Sequence, residues 1–170
     1  MTTTPRLYVG TYAKYNAGSI EGAWLDLDDY GDREDFLTAC RELHEDEDDP
    51  ELMFQDFEGF PRNWYSESSA PPDILWEWME LGDNEQDAFA VYVDHRGGDS
   101  TIDDFRDAYR GTYDSEADFA QQTADDTGAI PDSLPNWIVI DWEATWNCNL
   151  RFDCFCERGE SGDLHFFWSN

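Results

Sequence analysis

The sequence predicts an α+β fold with an acidic surface, and three observations predict it. Of 170 residues, 40% are hydrophobic and 16% aromatic, which supplies a core, although 40 Asp and Glu against 10 Lys and Arg give a formal net charge of -30. Chains this acidic usually lack the apolar surface that offsets ordering entropy and stay disordered. Here that surface is present, so the carboxylates belong on the outside of something folded. Strand-like and helix-like periodicities then alternate in short segments separated by turn residues.

The elements follow in order. Leu7 to Tyr12 and Gly22 to Leu27 are rich in aromatic and β-branched residues and predict two strands flanking a turn at Asn16, Ala17 and Gly18. Asp32 to His44 places Phe36, Cys40 and Leu43 at helical spacing, with Asp32 as N-cap. Leu52 to Phe57 predicts a returning strand that completes a small α+β unit. Pro61 and the stretch from Ser66 to Pro72 predict a linker. Beyond it Ile74, Leu75, Trp78 and Met79 mark a helix ended by Gly82, and Ala88 to Val93 another. Ser100 with Asp103 and Ser115 with Asp118 have the Ser-x-x-Asp form of a capping box, ahead of helices carrying Ile102, Phe105 and Tyr109, then Phe119 and Ala120. Trp137 to Trp146 is apolar and aromatic. Arg151 to Glu157 and Leu164 to Trp168 predict a hairpin across Gly159 to Gly162.

The charge runs along most of the chain. Residues 1–25 are close to neutral, whereas Asp26 to Glu58 holds fifteen acids against Arg33 and Arg41, and Asp73 to Asp126 sixteen against Arg96, Arg106 and Arg110. Self-repulsion on this scale destabilises a compact chain, so the charge is expected to serve a partner or a solvent condition. Nucleic acid is excluded as a direct ligand, and a basic surface built to receive a polyanion is the natural complement. Duplex DNA carries one charge per roughly 1.7 Å of axis, so 30 excess charges imitate at most about 15 base pairs. Lys14 is the only lysine, which also fits adaptation of the surface to high salt.

The remaining bounds are negative. The opening Met-Thr-Thr-Thr-Pro has no basic segment ahead of an apolar one, and no apolar run approaches membrane length, so a soluble, cytoplasmic protein is expected. Cys40, Cys148, Cys154 and Cys156 are too unevenly placed for a disulfide framework and are expected as small buried hydrophobes. His44, His95 and His165 have no second ligand at metal spacing, and Cys154-Phe155-Cys156 is one residue too tight for a zinc-type pair. Asp26, Asp28, Gly31, Asp32 and Glu34 fall on a calcium-loop register, but Tyr30 and Leu37 occupy its fifth and twelfth positions, so no metal is expected. No phosphate-binding or nucleophile motif is present, and neither a cofactor nor a catalytic residue is expected. A hydrolase would need a raised-pKa acid in a pocket, and no sequence feature identifies one.

Several segments are recognisable together. Leu7-Tyr8-Val9-Gly10-Thr11-Tyr12, then Tyr15-Asn16-Ala17-Gly18 and Gly22-Ala23-Trp24-Leu25-Asp26, resemble the opening of the ArdA antirestriction proteins. Phe54-Gln55-Asp56-Phe57-Glu58-Gly59-Phe60 is similar to that family's acidic-aromatic segment. Phe105-Arg106-Asp107-Ala108-Tyr109-Arg110-Gly111-Thr112-Tyr113 with Asp118-Phe119-Ala120 resembles a later one, and Ile130-Pro131 with Ile140-Asp141-Trp142-Glu143-Ala144 its final third. The matches occur in family order over nearly the whole chain.

The resemblance implies an elongated chain of three small α/β units mimicking B-form DNA: an N-terminal α+β unit over 1–62, a mainly helical middle unit over 63–112, and a C-terminal α/β unit over 113–170. It implies a non-enzymatic inhibitor, carried by mobile elements, that occupies the DNA groove of type I restriction-modification enzymes, with their methyltransferase core as partner. It also implies a homodimer through the C-terminal region, with Ile140, Asp141, Trp142, Glu143, Trp146 and Leu150 as the contact. The family's antirestriction motif aligns with Ile140 to Leu150, where Asn147, Cys148 and Asn149 stand in place of its usual basic-acidic pair. Expected phosphate mimics are Asp32, Glu34, Asp35, Glu42, Glu45, Asp46, Glu80, Asp83, Glu85, Asp87, Asp103, Asp107, Asp114, Glu116, Asp125 and Asp126. The alternative is an acidic decoy for another basic DNA-binding protein.

Overall fold

The computed structural model describes residues 3–169. The elements run β1 (Arg6–Thr11), α1 (Tyr12–Asn16), β2 (Ala23–Asp26), α2 (Arg33–Leu43), β3 (Leu52–Glu58), α3 (Ile74–Met79), α4 (Asp83–Arg96), α5 (Ile102–Ala108), β4 (Tyr109–Thr112), α6 (Glu116–Thr127), α7 (Trp142–Cys148), β5 (Cys154–Arg158) and β6 (Leu164–Trp168). The fold is α+β, as the mixed periodicity predicts. The chain divides into two compact units, Met1–Gln86 and Asp87–Asn170, and each contains one three-stranded antiparallel sheet.

In the first unit β1 lies between β2 and β3. Its alternation decides its faces: Leu7 and Val9 are buried, whereas Tyr8 sets its ring edge-on to Trp24, 5.6 Å away, across the β1/β2 pair. Register places Val9 opposite Phe54, so both contribute to one face. Helix α2 packs its apolar side there through Phe36, whose ring lies 6.1 Å from that of Phe54 and 6.2 Å from that of Trp76. Complete burial of a side chain such as Phe36 contributes about 1.5–3 kcal/mol. Asp32 caps the helix as the sequence predicts, accepting from the Asp35 N–H at 2.9 Å.

Two local expectations change in this unit. The first strand ends at Thr11 because the Thr11 hydroxyl accepts from the Lys14 N–H at 3.2 Å and starts the short helix α1, so Tyr12 opens a helix instead of closing a strand. The stretch expected as a linker is held within the unit. Phe54 N donates to Glu67 O at 2.8 Å, and Arg33 Nε donates to Pro71 O at 3.0 Å. The turn between α3 and α4 is closed by Trp78 Nε1 donating to Gln86 O at 2.9 Å and Gln86 Nε2 donating back to Trp78 O at 3.2 Å.

In the second unit β6 lies between β4 and β5 and supplies both faces of the sheet. Phe166 packs on one side with Phe119 of α6, ring centroids 4.5 Å apart, and with Trp146 of α7 at 5.6 Å. Phe167 packs on the other with Tyr92 of α4 at 5.5 Å and Phe105 of α5 at 6.3 Å. Both rings are fully buried, and adjacent strand residues necessarily face opposite ways, so this Phe-Phe pair fixes helices on both sides of one strand.

The helices predicted for this unit form, with bounds shifted in detail. The predicted helix at 88–93 extends over all of α4, with Asp83 and Glu85 in its first turn and His95 and Arg96 in its last, matching the helix dipole. The capping box of α5 is Thr101 with Asp104, one residue beyond the predicted Ser100 and Asp103, while Ser115 caps α6 as predicted. Tyr109 leaves the helix and begins β4. Strand β5 starts at Cys154 because Leu150–Phe152 form a 3-10 turn first. Among the described residues no helix is long and apolar enough to cross a membrane.

Candidate functional site: an acidic surface

Most of the acids named from the sequence face solvent. Asp32, Glu34, Asp35 and Glu42 are exposed along α2, and Glu45 and Asp46 follow in the turn after it. Glu80, Asp83, Asp103, Asp107, Asp114, Asp125 and Asp126 are exposed as well, whereas Glu85, Asp87 and Glu116 are half-buried. Asp125 and Asp126 occupy the last turn of α6, which contains no basic residue, so they oppose the helix dipole at a cost of a few tenths of a kcal/mol. Stability alone does not account for that placement.

Several basic side chains bond within the chain. Arg6 pairs with Glu58 at 2.7 Å and Lys14 with Asp46 at 2.9 Å. Arg33 and Arg96 donate to the carbonyls of Pro71 and Ser169, Arg110 to those of Asp107 and Tyr109, and Arg158 to that of Gly162. Arg33, Arg96, Arg110 and Arg158 thus have backbone oxygens among their partners, and with 40 acids against 10 Lys and Arg most carboxylates have no cation to match them.

Asp87 is placed differently from the expectation. Its carboxylate accepts from Glu160 N at 2.8 Å, from Ser161 Oγ at 2.5 Å and from His165 Nε2 at 2.8 Å. Burial works against its charge, but the donors from Ser161 and His165 outweigh burial and hold the carboxyl below its ordinary value. A Cβ at Gly159 would overlap this carboxylate, so glycine is required there. Asp87 is thus an anchor for the β5/β6 turn. Asp46 is exposed, yet its hydrogen bond to Lys14 lowers its pKa and commits one oxygen inward.

The C-terminal residues named as a dimer contact divide as well. Asp141 and Glu143 are exposed, Ile140, Trp142 and Leu150 half-buried, and Trp146 is buried in its own unit against Phe119 and Phe166. Asp141 caps α7 by accepting from the Ala144 N–H at 2.9 Å. The apolar stretch from Trp137 and the neighbouring Phe152 face solvent in part, which the sequence did not indicate: Trp137 is 81% exposed, Val139 90% and Phe152 71%.

The arrangement offers little reactive chemistry. Burial pushes the thiols of Cys40 and Cys156 up to about 12 and that of Cys154 to about 11, which keeps them protonated and inert. Cys148 is exposed, contrary to the expectation of a buried hydrophobe. The His44 and His165 rings are buried and hydrogen-bonded on both nitrogens, and His95 stacks on Phe155 at 3.8 Å. Among the described residues no group of three His, Cys, Asp or Glu is placed to hold a metal ion.

Compared with known proteins, residues 7–159 match the family model described as "Antirestriction protein (ArdA)". No curated protein matches the chain at a significant level.

Proposed function

Because the chain belongs to the ArdA antirestriction protein family, we propose that it is a non-catalytic DNA mimic that binds the DNA-binding groove of type I restriction-modification enzymes. Its carboxylates take the place of phosphates against the methyltransferase core. Both restriction and modification are blocked there, and incoming mobile DNA is protected in the cytoplasm. The observation that supports this reading most is the exposure of Asp32, Glu34, Asp35, Glu42, Glu45, Asp103, Asp107, Asp125 and Asp126 on a chain whose acids outnumber its Lys and Arg 40 to 10. A surface on which exposed acids far outnumber cations presents the dense negative field that a DNA-binding groove is built to receive.

The protein acts as a homodimer in this reading. Exposed Trp137 and Val139, beside half-buried Ile140 and Trp142, form the apolar surface through which two copies associate. Cleavage and methylation assays with a purified type I enzyme test the proposal. Near-stoichiometric loss of both activities is expected, and undiminished cleavage at excess protein would overturn it.

A further inference from the structure

The turn from Glu45 to Asp49 is five consecutive acids, Glu45, Asp46, Glu47, Asp48 and Asp49. Neighbouring carboxylates repel one another, so this turn holds one shape only if something sorts them. Lys14 does so. Its Nζ lies 2.9 Å from Asp46 Oδ1 and 3.1 Å from His44 Nδ1, with the lysine side chain only 14% exposed. The Thr11 hydroxyl donates to Glu47 Oε1 at 2.6 Å. Asp46 is thereby drawn toward α1 and Glu47 toward the end of β1, and Glu45, Asp48 and Asp49 remain exposed.

The ring of His44 completes the clamp. An ammonium can only donate, so Nδ1 must offer its lone pair to Lys14. Nε2 lies 3.2 Å from Val9 O, a carbonyl that can only accept, so Nε2 carries the proton. The ring is neutral in one fixed tautomer and links β1 to the end of α2. Glu47 N then donates to His44 O at 3.0 Å, which joins the acidic turn to the same point.

We propose that Lys14 is a positioning residue for the mimic surface: by holding Asp46 and His44 it fixes the acidic turn 45–49 in the geometry that a basic groove reads. This rests on the DNA-mimic reading above. It also separates shape from charge, because the sole lysine of a chain at -30 strengthens binding although its own charge opposes it.

The test is Lys14→Met in competition with labelled duplex for a type I methyltransferase, at several salt concentrations. If charge alone governs binding, removing a cation tightens it and steepens the fall of affinity with salt. The clamp predicts the reverse: binding weaker by up to about tenfold, the size of one hydrogen bond, and a shallower salt dependence. In an Asp46→Asn background the same substitution should add little, since the two residues act through one bond. Affinity equal to or above that of the unsubstituted protein would overturn the proposal.

A readout in the unliganded protein keeps the two readings apart and needs no variant to fold. The 15N spectrum of His44 should show a protonated Nε2 and an unprotonated Nδ1, and amide exchange at Glu47 should be slow. The opposite tautomer or an unprotected Glu47 amide would overturn the clamp. The correct tautomer in a protein that never displaces duplex would leave the clamp standing and overturn the mimic.

Discussion

Asp87 places its Oδ2 2.8 Å from Nε2 of the fully buried His165, whose other ring nitrogen lies 3.0 Å from the Tyr109 hydroxyl. One acid of a strongly acidic chain is therefore part of the second unit's interior, joining α4 to β4 and β6. Sequence alone gives this residue the same appearance as its exposed neighbours, and only the partners distinguish them.

Asp87→Asn is expected to destabilise the second unit by about 1–3 kcal/mol, because it weakens a half-buried acceptor of several donors. Urea unfolding followed by Phe and Trp signals of that unit measures it. The pH dependence has a definite sign. A carboxyl held below its ordinary value stabilises the fold above its unfolded pKa, about 4, and that stabilisation is lost as pH falls through the lower folded value. Asp87→Asn should flatten this acid limb. Gly159→Ala should destabilise the same turn by displacing the carboxylate.

Helix caps give a finer test of local structure. Thr101 forms a reciprocal capping box with Asp104, and Ser115 accepts from the Asp118 N–H at 3.1 Å. Thr101→Ala and Ser115→Ala should each cost about 1 kcal/mol. Ser100→Ala should stay within about 0.5 kcal/mol, because the Ser100 hydroxyl donates to Gly97 O and the cap of α5 is Thr101. Thermal denaturation of the three variants checks the order.

Much of this fold was legible. The α2 and α6 caps, the returning strand β3 and the β5/β6 hairpin all follow from residues whose local chemistry decides their conformation. Thr11 was missed because a threonine beside Tyr12 fits the end of a strand equally well, and Thr101 because Ser100 next to it can cap equally well, so that the cap depends on which amide comes within reach. The linker expectation failed because Ser and Pro report weak regular structure, and the bonds to Glu67 O and Pro71 O come from β3 and α2, far away in sequence. Exposure of the α2 acids was legible from helical spacing. The inward turn of Asp87 was not, since it needs His165 and Ser161 more than 70 residues away.

Individual exposed acids should matter little. Asp103→Asn should change affinity for a type I methyltransferase by less than about threefold, in keeping with the small energies of exposed ion pairs. Joint amidation of Asp32, Glu34, Asp35, Glu42 and Glu45 should weaken binding strongly and reduce the slope of log affinity against log salt. Asp32→Asn preserves the cap of α2, so the loss reports charge instead of unfolding. Isothermal titration at several salt concentrations provides both quantities.

The apolar residues near the C-terminus make a separate prediction. Trp137→Ser with Val139→Ser should weaken self-association while leaving the second unit's stability within about 0.5 kcal/mol, since both side chains are exposed. Sedimentation velocity over a concentration series reads the first and urea unfolding the second. A dimer unaffected by the pair would place the contact elsewhere.

The central claim is that this acidic surface competes with DNA for one binding groove. The most direct measurement is a titration of the protein into a type I methyltransferase bound to labelled target duplex, at fixed, near-physiological salt. The account predicts stoichiometric displacement of the duplex, lost when the α2 acids are amidated. Retention of the duplex at micromolar protein, with the chain folded, would contradict it.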